Sequence, residues 1–373
     1  MKIAILTQPL RYNYGGILQN FALQTVLRRM GHDVVTLDPR RYKYTWSQYI
    51  VLFFRHLVSR YIKGHREVAL RGEWLADKPT RILGTNTFRF IDKYIKRREY
   101  TDLLKEVKEG DFDAFIIGSD QVWRPEYNGN LPNMFLDFTK GWNVRRIAYA
   151  ASFGVDTWSV DGQTTKKCRE GIRQFDLVTV REKSGVNLCK TLFDVNALHV
   201  LDPTLLLTKE DYIKLLKIDK VKKSPGNLLV YILDYTDDKR LLIEKVSKQY
   251  GLTPFRVNSN FEDWSAELDK RIQPPVEQWL RGFYDADYVI TDSFHACVFS
   301  IIFKKPFVVY GNTERGLSRF QSLLAMFDMN KCILSKADDF ERFQIYSQHT
   351  ETLINDFRTK SFGLLANISE ISC

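Results

Sequence analysis

Short apolar runs alternate with amphipathic stretches along the first 200 residues, and this alternation constrains the fold more than any other feature. KIAILTQ at residues 2–8 is followed by NYGG, by the amphipathic stretch LQNFALQTVLRRM, by Gly31 and by the run DVVTLD. The order is strand, glycine-containing turn, helix, glycine stop and strand. Because strands joined through a helix run parallel, this start predicts a parallel sheet with helices on its faces. DAFIIGSD, RRIAYAASFG and FDLVTVRE add three strands that end in small or charged residues.

A second alternating series begins after VKKSPG at residues 221–226. Its strands are NLLVYILDY, TPFRVN, DYVITD and PFVVYG, and its helices are KRLLIEKVSKQYG, PPVEQWLRGFYDA and FHACVFSIIF. We therefore predict an α/β protein of two doubly wound, Rossmann-like domains facing a cleft, an architecture that resembles the GT-B glycosyltransferases. The predicted boundaries are 1–200 for the first domain, expected to bind the acceptor, 201–338 for the second, expected to bind the donor, and 339–373 for C-terminal helices.

Composition and local pattern exclude several classes. The five cysteines are scattered, without a CxxC pair or a histidine at metal-ligand spacing, so neither a disulfide framework nor a structural zinc site is expected. The N-terminus lacks a signal-peptide pattern, and no apolar run approaches the roughly 20 residues that span a bilayer. We expect a cytoplasmic protein.

Positive charge is concentrated in one segment. The chain has a formal net charge of +10, and residues 40–110 contain 17 basic and 8 acidic residues. Such a surface attracts phosphates, nucleic acid or anionic lipid headgroups.

A lone histidine, His295, follows the strand DYVITD at the start of the next helix. Asp292 or Ser293 is a plausible N-cap, which places His295 in the first helical turn. First-turn N–H groups are unsatisfied and bind phosphate or carboxylate oxygens, so a histidine there can meet a bound anion. A buried histidine bonded to a neighbouring carbonyl explains the same pattern.

Three other strand ends carry candidate site residues. NYGG places Asn13, Gly15 and Gly16 where the backbone can approach a ligand closely, or where a tight turn needs positive φ. GSDQVW follows a strand with Ser119, Asp120 and Trp123: the aspartate serves as a helix cap or as a base and sugar hydrogen-bond acceptor, and the tryptophan as a stacking face. Arg181 in TVREKSG forms either a surface salt bridge or an anion clamp.

Taken together, these stretches resemble the polysaccharide pyruvyl transferase family. The resemblance covers most of the chain through the ordered motifs NYGG with LQ and ALQ, GSDQVW, YAASFG, TVREKSG, VLDPTLLL, VITDSFHA and RGLSRFQSLL. It implies transfer of pyruvate from phosphoenolpyruvate to two hydroxyls of a sugar, forming a cyclic ketal without a metal or nucleotide cofactor. The implied setting is bacterial capsule or exopolysaccharide assembly. The expected acceptor is a lipid-linked, galactose-type repeat unit.

The resemblance also implies roles for particular residues. The residues matching His295 and Arg181 bind phosphoenolpyruvate and act in catalysis, with the histidine as general acid/base because imidazole exchanges protons near neutral pH. The family often carries Arg-Leu before this histidine, where this chain has Ser293 and Phe294. We predict that Arg315 or Arg319 replaces the missing arginine. Ser152 of YAASFG, Ser293 and Phe294 complete the expected substrate-binding residues.

YTWSQYIVLFFRHLVSRYIK is an amphipathic, aromatic helix inside the basic segment. Its apolar stripe faces either the protein core or, with its arginines and lysine elsewhere around the helix, an anionic membrane interface. We expect peripheral association with the inner face of the cell membrane. The predicted stripe consists of Trp46, Tyr49, Ile50, Phe53, Phe54, Leu57 and Tyr61.

Two other functions remain open from the sequence. A glycosyltransferase that uses a nucleotide sugar fits the same architecture, since fold does not fix function. A non-catalytic member that holds assembly partners together fits the missing arginine. Nucleic acid is not an expected partner, because the basic segment contains no recognisable reading module.

Overall fold

The structure is a computed structural model that describes residues 1–40, 46–61, 82–216, 218–260, 266–311, 316–341 and 347–369. Two parallel sheets organise these residues, as the two alternating series predict. The first sheet has the strands β1 (Lys2–Leu6), β2 (Asp33–Pro39), β3 (Arg97–Tyr100), β4 (Ala114–Ile117), β5 (Arg145–Ala151), β6 (Leu177–Val180) and β7 (Leu198–His199). The second has β8 (Leu228–Tyr231), β9 (Pro254–Phe255), β10 (Tyr288–Thr291), β11 (Phe307–Tyr310) and β12 (Ile333–Leu334).

Helices follow the strands and cover both sheets. In the first half they are α1 (Tyr14–Arg29), α2 (Trp46–Tyr61), α3 (Thr85–Tyr94), α4 (Leu103–Glu106), α5 (Gly162–Ile172) and α6 (Lys183–Leu188). In the second half they are α7 (Lys209–Leu216), α8 (Asp237–Tyr250), α9 (Leu268–Arg271), α10 (Val276–Asp285), α11 (Phe294–Ile302), α12 (Leu317–Met326) and α13 (Gln348–Ala366). Among the described helices, none is both long and apolar enough to cross a membrane.

The order of strands fixes where each sheet can bind a ligand. The first sheet runs β3-β2-β1-β4-β5-β6-β7 and the second β12-β11-β10-β8-β9, with every pairing parallel. Chain order therefore reverses between β1 and β4 in the first sheet and between β8 and β10 in the second. Ligands of doubly wound sheets bind beyond the carboxyl ends of strands at such reversals. The sequence motifs after β1, β4 and β10 all lie at these two points.

Strands missed by the sequence reading are short or lie in the charged segment. β3 has the sequence RREY, whose charged side chains do not follow the apolar pattern of a buried strand. β7 and β12 have two residues each, too few to show a periodicity. All three lie at the edges of their sheets, where fewer apolar contacts are required.

The two halves pack directly against each other. The Tyr14 ring stacks on Trp279 with centroids 5.3 Å apart, and the Tyr14 hydroxyl donates to the Pro274 carbonyl at 2.7 Å. One continuous hydrophobic core contains β1 and α1 residues of the first half together with α10 and α11 residues of the second. The C-terminal helix α13 crosses back, since Arg358 donates to the Leu205 carbonyl at 2.9 Å.

Candidate functional site

The N-terminus of α1 is closed by its own cap. The Asn13 side-chain oxygen accepts hydrogen bonds from the backbone N–H groups of Gly15, at 3.0 Å, and Gly16, at 3.4 Å. Both glycines are helical and neither has positive φ, so the tight-turn reading is wrong. The Asn13 side chain and both N–H groups are thus engaged in this cap, and the approach of a ligand to the backbone at Asn13, Gly15 and Gly16 stays a prediction.

Gly15 is instead required by a side chain from the other half of the molecule. A Cβ atom added at Gly15 would lie 2.0 Å from His295 Nδ1, and one added at Gly16 would lie 3.2 Å from Asp120 Oδ2. Only glycine lets the imidazole approach the α1 backbone so closely. The sequence correctly indicated a close approach at this turn, but its partner is His295.

His295 lies at the N-terminus of α11, as predicted. Ser293 is the N-cap residue, but its side chain makes no capping hydrogen bond to the first-turn N–H groups. Asp292 is not the cap, because its carboxylate accepts from the N–H groups of Leu233 and Asp234 and from Lys239 Nζ. Every residue of α11 is buried, and the His295 side chain is 10% exposed.

Arg181 extends from the end of β6 into the same interface. Its Nη1 donates to Asp202 Oδ2 at 2.8 Å, and its Nη2 lies 3.8 Å from Asp120 Oδ1. The guanidinium also lies 4.4 Å from the centroid of the Phe294 ring, which belongs to the second half. Burial alone would lower the pKa of Arg181, but the neighbouring carboxylates of Asp202, Asp120 and Glu182 outweigh it and raise that pKa.

Asp202 connects the arginine to the histidine. Its carboxylate accepts from Arg181, from the Thr204 hydroxyl at 2.7 Å and from Ser119 Oγ at 3.4 Å. His295 Nε2 lies 3.7 Å from Asp202 Oδ2, beyond hydrogen-bond length but within ionic reach. Burial alone would raise the pKa of Asp202, but His295, Arg181 and Thr204 hold it well below its usual range. Asp202 therefore stays ionised beside the imidazole.

Asp202, within VLDPTLLL, is a residue of the site that the sequence motifs alone do not single out. The signal was present, because Asp202 follows the short strand β7 just as Arg181 follows β6 and Asp120 follows β4. Asp202 also precedes Pro203, a pairing typical of a capped helical turn, and that local role concealed its contact with the site.

A second arginine lies near the Phe294 ring. Arg319, on α12, is 8% exposed, and its guanidinium is 5.7 Å from the Phe294 ring centroid. Burial and the nearby charge of Arg181 lower the pKa of Arg319 to about 10. The Phe294 ring thus contacts two cations. Arg315, the other predicted replacement arginine, lies outside the described residues.

Two predicted ligand contacts are corrected by the structure. Trp123 is fully buried: its ring stacks on Phe135 with centroids 5.0 Å apart, and its N–H donates to the Met134 carbonyl. It is a core residue, so the prediction of a sugar-stacking face is wrong. Ser152 is also fully buried and donates to Glu182 Oε1 at 2.9 Å, which leaves no hydroxyl proton for a ligand.

Ser119 and Asp120 lie next to Asp202 and Arg181. Ser119 is fully buried and donates to the Ala150 carbonyl at 3.1 Å as well as to Asp202. Asp120 is 5% exposed, has a left-handed φ of 66° and accepts from the backbone N–H of Gln121. It faces Arg181 and Gly16, so Asp120 belongs to the site through its charge rather than as a helix cap.

His295, Arg181, Asp202 and Asp120 form a cluster between the two halves. This cluster combines buried charges with hydrogen-bond donors that are not used within the described residues. Within the described part of the chain, Arg181 Nε, Arg181 Nη2 and His295 Nε2 are buried and make no hydrogen bond. Buried polar groups without partners are rare, and here they adjoin a helix N-terminus whose N-cap side chain makes no bond. This arrangement can hold an anion and exchange a proton with it.

The described ranges contain no group of three or more His, Cys, Asp and Glu side chains placed to hold a metal ion. Four of the five cysteines lie in those ranges, and all four are buried free thiols: Cys168, Cys189, Cys297 and Cys332.

Comparisons with known proteins place most of the motifs, all except RGLSRFQSLL, in one family. A family model described as "Polysaccharide pyruvyl transferase" matches residues 13–314. No curated protein matches the chain in sequence. Among solved structures, UDP-GlcNAc 2-epimerase from Neisseria meningitidis bound to UDP-GlcNAc is 10% identical with a TM-score of 0.48, covering 98% of this chain and 94% of that chain. O-GlcNAc transferase of Thermobaculum terrenum is 11% identical with a TM-score of 0.45, covering 99% of this chain and 66% of that chain.

Proposed function

The chain belongs to the polysaccharide pyruvyl transferase family, a family of transferases, and on that premise we propose that it uses phosphoenolpyruvate as donor and a hexose of a lipid-linked repeat unit as acceptor. The product is a cyclic ketal on two hydroxyls of a galactose-type sugar in bacterial capsule or exopolysaccharide biosynthesis. The proposed reaction uses neither a metal ion nor a nucleotide cofactor.

The observation that supports this proposal most is a set of buried hydrogen-bond donors that lies between the two halves of the molecule. Phosphoenolpyruvate has a phosphate and a carboxylate, so its site needs fixed cations and oriented N–H groups. Arg181 supplies buried donors that make no hydrogen bond within the described residues, and the first turn of α11 supplies N–H groups that its N-cap side chain does not bind. His295 lies within this group of donors.

We propose that Arg319 replaces the arginine that the family often carries before the residue matching His295. Ser293 and Phe294 occupy the positions where the family often has Arg-Leu, and no cation comes from those positions. Arg319 comes from α12, and its guanidinium lies near the same Phe294 ring that Arg181 contacts. A bound dianion between the two guanidinium groups would relieve their mutual repulsion. We assign Arg319 to the donor carboxylate or phosphate.

The mechanism begins with protonation of the donor. A proton on the methylene carbon of phosphoenolpyruvate makes a methyl group and leaves an oxocarbenium-like centre at the adjacent carbon. One acceptor hydroxyl adds to that centre and loses its proton. The bond between that carbon and the phosphate oxygen then breaks, the second hydroxyl closes the ketal ring, and the proton that it loses passes to the departing phosphate.

His295 is the residue that we assign to these proton transfers. Its ring is fixed between Gly15 on one side and Asp202 on the other. The ionised Asp202 stabilises positive charge on the ring after it takes a proton from an attacking hydroxyl. Arg181 holds Asp202 in place, so we treat Asp202 as a positioning residue.

We predict that donor binding depends on Arg319. Arg319→Gln removes one charged hydrogen-bonding group and should weaken phosphoenolpyruvate binding by about 10- to 100-fold. Calorimetric titration of the purified chain with phosphoenolpyruvate measures the change. Arg240→Gln is the control, because Arg240 is an exposed arginine on α8. Unchanged affinity in Arg319→Gln would refute the assignment, and absence of binding to wild type would refute the proposed donor.

The acceptor proposal involves α2. Helix α2 forms as predicted, and Ile50, Val51, Phe54 and Tyr61 on it are 52%, 65%, 61% and 69% exposed. Phe53 and Leu57 of the predicted stripe are half-buried, while the side chains of Trp46 and Tyr49 lie outside the described part. Exposed apolar side chains beside Arg55 in a basic segment fit an anionic membrane interface, where a lipid-linked acceptor would be found.

We predict that α2 contributes to membrane binding. Phe54→Ser should reduce recovery of the protein on anionic phospholipid vesicles, because it removes a large exposed apolar side chain. Leu241→Ser is the matched control, since Leu241 is 58% exposed on α8, a different helix. Co-sedimentation at constant ionic strength measures both variants. Equal recovery of the two variants and wild type would exclude this role for α2.

A further inference from the structure

A polar cavity of about 430 Å³ lies in the first half of the molecule, outside the cluster around His295. It is bounded by the loop after β4, the loop after β5 and the first turns of α5. Its volume falls in the range of ligand pockets, about 300–1,000 Å³. Both loops follow the carboxyl ends of strands in the domain that we expect to bind the acceptor.

The cavity presents polar side chains that are not engaged elsewhere. Asn130, Ser159, Gln163 and Lys167 line it, and none of the four makes a side-chain hydrogen bond or ion pair with another residue in the described ranges. Amides, hydroxyls and ammonium groups are the donors and acceptors that pair with sugar hydroxyls.

Hydrogen bonds connect this cavity to the site. Asn128, which lines the cavity, accepts from Gln8 Nε2 at 3.2 Å. The same Gln8 Nε2 donates to the Gln121 carbonyl at 3.0 Å, and Gln121 directly follows Asp120 of the site. Burial is the main cause of the lowered pKa of Arg319, and the charge of Arg124, also in this loop, lowers that pKa further. The cavity and the site therefore share one loop.

The loop that lines the cavity also carries an exposed aromatic side chain. Tyr127 lies between the lining residues Pro125 and Asn128 in the chain and is 51% exposed. The Arg124 guanidinium covers one face of its ring at 4.5 Å from the centroid. An exposed ring of this kind provides the stacking surface that buried Trp123 does not.

We propose that this cavity is a distal subsite for a sugar of the acceptor chain, one that neighbours the hexose receiving pyruvate. The inference rests on the proposed function, since it takes the acceptor to be an oligosaccharide that extends from the site around His295. The subsite adds binding energy for longer acceptors and selects an oligosaccharide over a single hexose. Gln163 and Lys167 are its principal hydrogen-bonding residues.

The test measures sugar binding without turnover. Wild type is titrated with a methyl galactoside and with a galactose-terminated tetrasaccharide, and the gain in affinity for the tetrasaccharide is recorded. The double variant Gln163→Ala/Lys167→Ala should lose about 10-fold or more of that gain, since each side chain contributes a hydrogen bond. Lys166→Ala is the matched control: Lys166 is the adjacent, exposed lysine of α5 but does not line the cavity. It should bind like wild type.

Two results would overturn the subsite: a tetrasaccharide that binds wild type no better than the monosaccharide, or a gain that survives in the double variant. The subsite and the proposed reaction can fail independently of each other. If the gain depends on Gln163 and Lys167 but wild type transfers no pyruvate from phosphoenolpyruvate, the subsite stands and the proposed reaction fails. If transfer occurs and the gain is absent, the reaction stands and the subsite fails.

Discussion

Gly15→Ala is expected to lower kcat/KM by about 100-fold or more, because displacing a catalytic group by about 1 Å is enough for such a loss. The added Cβ would lie 2.0 Å from His295 Nδ1, a distance at which the two atoms overlap. Either the imidazole turns away, or α1 and α11 separate. In both cases His295 leaves its position beside Asp202. The imidazole and the buried arginine then no longer contact the same molecule of phosphoenolpyruvate.

Gly363→Ala is the control for this substitution. Gly363 lies within α13, and a Cβ atom there would meet nothing within 4 Å. Alanine is the better helix former by up to about 1 kcal/mol, so this variant should keep full activity and an equal or higher Tm. Near-wild-type turnover of Gly15→Ala, at a Tm that shows it is folded, would mean that the closeness of the imidazole to α1 has no functional consequence.

His295→Asn is expected to reduce kcat/KM by about 10²- to 10⁴-fold, the usual contribution of a positioned general acid/base. Asparagine keeps a polar side chain at the start of α11 but cannot take up a proton. The fold should be retained, because Asp202 remains bonded to Arg181 and Thr204. Phosphoenolpyruvate should still bind, since its cationic contacts are arginines. Steady-state kinetics and calorimetric titration measure the two quantities separately.

A matched control exists for the loss of an imidazole. His349 lies near the start of α13 and is exposed, so His349→Asn should behave as wild type. If His295→Asn turns over normally while phosphoenolpyruvate remains bound, the proton transfers belong to another residue. If it fails to bind phosphoenolpyruvate at all, His295 is a binding residue and its catalytic assignment is wrong.

The fold, and the strand ends that carry the candidate site residues, were largely predictable from the sequence, for a local reason. A parallel sheet requires apolar strands that alternate with amphipathic helices, and both series show this pattern. Ligand-binding residues of such sheets follow the carboxyl ends of strands, which selected Arg181, Asp120 and His295. The structure brings these three together although they come from different parts of the chain.

The remaining contacts depend on how the two halves meet, which local patterns do not encode. The motif NYGG indicates that another group approaches the backbone of Gly15 closely, but it does not identify His295 as that group. Trp123 follows a strand end, as a ligand contact would, yet its ring fills the core against Phe135. Asp202 contacts both Arg181 and His295, and that role appears only when the first half packs against α11.

The most direct measurement of the central claim is the mass of a lipid-linked, galactose-type acceptor after incubation with the purified chain and phosphoenolpyruvate. The account predicts a gain equal to pyruvic acid less one water, release of inorganic phosphate, and loss of both signals in His295→Asn. No change in mass with phosphoenolpyruvate, together with a gain of one sugar when nucleotide sugars are supplied instead, would contradict it.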